Sequence, residues 1–175
     1  MKKKGFSLVE LLVLLAVIAA LIAIIPIAGN TIQRLKATRI ARTMDTISLL
    51  AEEKLLREGP FFFSNLSDDS GLRSLVQNAT EEYRLLVLIT HTGEVFTTVM
   101  YIGSGVDTEL ITKLLPNAFV AERSLKYTLL NGDYFYNIRW EQTITAIGLP
   151  EPSKEIEIAY VPEGYLCLTR SYTIY

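Results

Sequence analysis

The sequence of 175 residues holds one cysteine, Cys167, and one histidine, His91. A single thiol excludes an intramolecular disulfide, so the fold stands on packing alone, and cysteine usage does not encode a redox compartment. His91 lies in the turn signal His91-Thr92-Gly93, and Cys167 lies in a strand-like apolar run where cysteine ordinarily behaves as a small buried hydrophobe. Neither has a motif partner nearby, so no catalytic residue, cofactor or enzymatic activity is expected. Aspartates occur at Asp68, Asp69, Asp107 and Asp133, but the spacing of a calcium-binding EF-hand loop is absent. Aspartate beside serine and glycine is ordinary loop chemistry, and no metal site is assigned. Internal repeats and low-complexity tracts are also missing. A strong charge of one sign is lacking as well: Lys and Arg number 17 against 19 Asp and Glu, a formal net charge of -2. The chain after Gly59 is acidic, so nucleic acid is not expected as a direct ligand.

What is present is concentrated at the N-terminus. Lys2, Lys3 and Lys4 precede Gly5 and Phe6, and from Leu11 to Ala28 there is no charged side chain at all. Such a run has membrane-spanning length, with a basic flank suited to the cytoplasmic side. Glu10 is the anomaly, because an ionised side chain deep in a bilayer costs about 2.5 to 3.5 kcal/mol, less near the interface. Three readings compete: a cleaved secretory signal, a plain anchor and a processed leader. The first needs a small residue where Pro26-Ile27-Ala28 offers proline. The second explains the length of the run but neither Glu10 nor the Gly5-Phe6 junction.

The residues Lys3-Lys4-Gly5-Phe6-Ser7-Leu8-Val9-Glu10-Leu11-Leu12 resemble the class III leader of type IV pilins and of the pseudopilins of type II secretion. In that family a membrane peptidase cuts after the glycine, here Gly5, and methylates the new amino terminus, here Phe6. The glutamate five residues into the mature chain falls on Glu10. The resemblance covers about the first thirty residues and fades beyond them. It implies a structural subunit whose Glu10 meets a neighbour's Phe6 amine and so fixes axial register. It implies as partners the prepilin peptidase and methyltransferase, the inner-membrane assembly platform, membrane lipid before assembly, and other pilin subunits. Lack of a C-terminal disulfide leans toward a minor pilin or a pseudopilin. Adhesion, motility, DNA uptake and protein secretion are the family's functions. The competing expectation is a single-pass anchored binding module that does not polymerise.

Physical periodicity divides the rest. A leader at 1–5 is followed by an apolar helix at 6–30 and an amphipathic continuation at 31–58, on which Ile40, Met44, Ile47, Ala51 and Leu55 share one face. Pro26 and Gly29 weaken the helix, so a kink or melted segment is expected near 22–30. Arg34, Lys36, Arg39 and Arg42 follow; such a run is ordinarily a solvated face, with lipid headgroups or DNA as the alternatives. Gly59-Pro60 stops the helix. Residues 59–175 form a head expected to contain a helix over 72–82, one capped by Asp107, and three hairpins. These join 83–90 to 94–102, 124–130 to 134–143 through Asn131-Gly132-Asp133, and 155–161 to 165–175. The fold class is α+β, with the helix packed on a mainly antiparallel sheet.

Overall fold

The computed structural model describes residues 7–66, 71–77, 79–148 and 156–173. The chain divides into two compact units, residues 1–36 and 37–175. Helix α1 spans Leu8–Glu58.

In the first unit, the described apolar side chains of α1 from Leu8 to Ile22 are all exposed, as suits a surface with no polar side to turn toward water. The helix runs unbroken through Pro26 and Gly29, so the expected melting near 22–30 does not occur. Proline removes one backbone hydrogen bond, and the surrounding turns retain theirs. Among the described residues no helix is long and apolar enough to cross a membrane. The span expected over 6–30 includes residues 6 and 23–28, whose side chains lie outside the described residues.

In the second unit, α1 turns Ile40, Met44, Ile47, Ala51 and Leu55 inward, each at most 6% exposed, as the periodicity requires. Full burial of a side chain of this size contributes about 1.5 to 3 kcal/mol. The helix ends at Glu58 because Gly59 adopts φ 82°, a left-handed value open to glycine, and Pro60 follows. A 3-10 helix, Pro60–Asn65, then places Phe63 in the core while Phe61 stays 57% exposed. Helix α2, Gly71–Leu75, is shorter than the helix expected over 72–82. Its first residues donate backbone bonds to the Arg139 and Trp140 carbonyls, which anchors it against a turn of the sheet.

Strands β1 (Tyr83–Ile89) and β2 (Glu94–Tyr101) form the expected hairpin, and α3 (Thr108–Leu114) is capped by Asp107. The remaining strands are β3 (Ala118–Val120), β4 (Leu125–Leu129), β5 (Tyr134–Ile138), β6 (Thr143–Ile147), β7 (Ile156–Val161) and β8 (Leu166–Thr173). Six of the eight make one antiparallel sheet in the order β3-β8-β2-β1-β5-β6, and β4 pairs with β7 in a separate ribbon.

This arrangement corrects two of the three expected hairpins. The turn at Asn131-Gly132-Asp133 exists, closed by a bond from the Asp133 N–H to the Leu130 carbonyl, but β4 and β5 enter different sheets. On β5, Phe135 and Tyr136 point to opposite faces and both are buried, so the strand needs cover on each side and takes an interior place between β1 and β6. Likewise β7 pairs with β4 while β8 pairs with β2 and β3. The second unit is thus three layers. Leu85, Val87, Ile89, Val95, Val99 and Tyr136 meet α1 on one face of the sheet. Leu86, Leu88, Met100, Phe135 and Cys167 meet Leu129 and Val161 of the ribbon on the other.

Candidate functional site

The start of α1 is built by its own side chains. Ser7 precedes the first helical residue; its hydroxyl accepts from the Val9 N–H at 3.3 Å, and its N–H donates to Glu10 Oε2 at 2.9 Å. This is the reciprocal capping box of a Ser-x-x-Glu sequence, which satisfies amide donors that a helix start leaves unpaired. The carboxylate also sits where the helix dipole favours negative charge. Glu10 is therefore compensated locally by a backbone amide. The Ser7–Glu10 spacing is the sequence signal for it. Gly5 and Phe6, the expected cleavage and methylation positions, lie outside the described residues, as do Asp68 and Asp69. Pro26 and Gly29 lie within the helix backbone.

The head brings together a second group. The Asp133 side chain is fully buried and accepts four hydrogen bonds. Oδ1 accepts from the His91 N–H at 2.8 Å and contacts His91 Nδ1 at 2.9 Å; Oδ2 accepts from the Tyr127 hydroxyl at 3.0 Å and the Leu130 N–H at 2.9 Å. Burial pushes the carboxyl up, but the bonds from Leu130, His91 and Tyr127 outweigh it and hold Asp133 below the usual aspartate value. Burial and the same carboxylate push the Tyr127 phenol up to about 12. An aspartate and a histidine in contact can orient an imidazole for proton transfer. Here the carboxylate is spent on fastening two turns and a strand, and no serine or cysteine nucleophile bonds to the ring among the described residues. The arrangement locks a corner of the fold.

Cys167 is buried, and that burial pushes its thiol up to about 12, which leaves it unreactive at neutral pH. Asp107 is occupied in accepting from the Leu110 N–H at 3.1 Å. Among the described residues no cluster of His, Cys, Asp and Glu is placed to hold a metal ion. Lys36, Arg39 and Arg42 are exposed on α1.

No curated protein and no solved structure matches the chain. Residues 1–26 match the prokaryotic N-terminal methylation motif, and the chain thus carries at that end the class III prepilin leader of type IV pilins and pseudopilins.

Proposed function

We propose that this chain is a structural subunit of a type IV pilus or pseudopilus, of the minor-pilin or pseudopilin kind. It is made as a membrane-anchored precursor in the cytoplasmic membrane with the head outside the cytoplasm. Prepilin peptidase cuts after Gly5 and the new terminus is methylated at Phe6. The apolar segment 6–30 then leaves lipid to pack with the helices of self or related subunits, in an extracellular or periplasmic fibre. Glu10 pairs with the Phe6 amine of a neighbour, which removes the cost of a bare carboxylate and fixes axial register.

The match of residues 1–26 to the methylation motif carries this reading. The exposed apolar surface of α1 and the location of Glu10 in the first helical turn support it. In the uncut chain the Ser7 N–H holds Glu10, so cleavage frees a stronger, cationic partner one residue upstream.

Mass spectrometry of the protein purified from its own cells tests the processing. Loss of residues 1–5 with a methylated Phe6 is the expected result, and an intact N-terminus would favour an anchored module that does not polymerise. Glu10→Ala is expected to leave the head folded and to reduce incorporation into fibres by at least about tenfold, a loss on the order of 1.4 kcal/mol. Unchanged incorporation would remove the register role.

A further inference from the structure

The outer edge of β8 is only partly covered. Strand β3 pairs with it from Val120 to Ala118 and goes no further, because the Ala118 N–H donates to the Leu115 carbonyl and closes a turn through Pro116 that leads off the sheet. Residues 169–173 of β8 therefore have β2 on one side and, among the described residues, no strand on the other. Register identifies the main-chain groups left over. The Thr90 N–H donates to the Glu94 carbonyl and the Ile102 N–H to the Glu82 carbonyl, so even-numbered residues of β2 turn their main chain toward β1 and odd-numbered ones toward β8. Val95 and Thr97 thus bond with Tyr172 and Arg170, while the N–H and C=O groups of Thr169, Ser171 and Thr173 point outward. The bond from the Ala121 N–H to the Tyr165 carbonyl obeys the same parity further along β8. Sheet edges are ordinarily shielded by lysine, proline or a bulge. The one charge on this stretch, Arg170, is instead turned onto the α1 face, where it pairs with Asp45.

Beside this edge lies an open pocket of about 380 Å³, walled by Glu52 of α1, Asn117 and residues 169–172. Its charge is unbalanced: Arg170 stands 2.7 Å from Asp45 and 3.7 Å from Glu52, one guanidinium for two carboxylates. The Tyr172 hydroxyl is buried and has no hydrogen-bond partner among the described residues. Burial, and after it the charge of Glu52, push that phenol up, so its oxygen is a neutral acceptor at physiological pH. We propose that the free edge of β8 takes up an extended peptide of another protein as an added strand, with a lysine or arginine of that peptide seated in the pocket. The peptide residue opposite Ser171 exchanges both main-chain bonds with it, which supplies affinity without regard to sequence. Its neighbour opposite Tyr172 projects onto the α1 face, where a cationic side chain donates to the Glu52 carboxylate and the Tyr172 oxygen. The surplus carboxylate selects a basic residue there and rejects an acidic one. This site lies wholly within the head unit and stands whether or not the chain polymerises.

The probe is a synthetic seven-residue peptide, threonine alternating with valine and a single lysine at its centre, which reads alike in either direction. It is titrated into the full chain in detergent while amide hydrogen exchange is followed by nuclear magnetic resonance. Saturable binding with Kd below about 1 mM is expected, together with slowed exchange at the Thr169 and Ser171 amides. Methylating the threonine nitrogens, which face β8 when the lysine faces α1, is expected to abolish binding, and methylating the valine nitrogens to leave it within about twofold. Glutamate in place of the lysine should weaken binding at least about tenfold. Glu52→Gln should weaken the lysine probe about tenfold and leave a norleucine probe within about twofold, at unchanged head melting, because Asp45 still holds Arg170. No protection at Ser171 with 5 mM probe overturns the proposal, as does equal binding of the threonine-methylated or glutamate probe, or a Glu52→Gln variant that binds the lysine probe as tightly as the parent. Protection of Ser171 that rises with protein concentration in the absence of probe would assign the edge to a second copy and likewise overturn it.

Discussion

Asp133 shows how much one residue can fasten. Its two carboxylate oxygens take the bonds of a backbone turn, a tyrosine and a histidine from 42 positions away. In the sequence it is an aspartate after Asn-Gly, indistinguishable from any turn residue, because the partners that bury it become neighbours only once two sheets have formed. Its lowered pKa fixes the sign of a pH dependence. The stabilisation is fully present above the unfolded carboxyl value, about 3.9, and is lost as pH falls through the lower folded value. Thermal unfolding of the full chain in detergent, followed by circular dichroism, should therefore show a melting temperature that drops below about pH 4. Asp133→Asn sets an amide nitrogen against at least one N–H or O–H donor and should cost about 3 kcal/mol at neutral pH. It should also flatten the acid limb, whereas parallel pH profiles for the two proteins would show that Asp133 does not carry it. The leader motif that contains Gly5, Phe6 and Glu10 is legible for the opposite reason: its signal is contiguous, and the match to the methylation motif covers residues 1–26.

At the scale of elements, legibility followed the range of the contacts. The amphipathic half of α1, its end at Gly59, the β1–β2 hairpin and the Asp107 cap depend on residues within a few positions, and all stand where the sequence places them. The two misjudged hairpins depend on which sheet a strand joins. That choice is made by burial on both faces, as at Phe135 and Tyr136, and an Asn-Gly turn reverses the chain without naming the strand's partner. Gly29 illustrates an element carrying more freedom than its shape needs. It is helical, its φ is not in the left-handed region, and a Cβ there would meet nothing within 4 Å. Gly29→Ala should therefore stabilise the helix by about 1 kcal/mol. Hydrogen exchange should slow about fivefold at amides near residue 29 wherever local opening governs exchange, with no change in the head. Unaltered exchange would place the opening elsewhere in α1.

The head as a whole is a sheet covered on both sides, and the two covers differ in how they are attached. On one face α1 is tied by packing and by Arg170, which pairs with Asp45 at 2.7 Å and Glu52 at 3.7 Å. On the other, the β4–β7 ribbon has only two strands and packs through a smaller apolar cluster. A two-stranded ribbon has little stability of its own, so this layer depends on what lies beneath it. Cys167 lies at that boundary, on β8 opposite the ribbon, and is the chain's only thiol. Its reaction with an aromatic disulfide reagent consequently reports opening of the ribbon or of the whole head. Leu129→Ala, on the ribbon, should cost about 2 to 5 kcal/mol locally and accelerate labelling of Cys167 by more than its effect on global unfolding accounts for. Phe63→Ala, on the α1 side, should accelerate labelling only in proportion to lost global stability. If both variants fall on one line of labelling rate against global stability, the ribbon opens only with the rest of the head, and the three layers form a single cooperative unit.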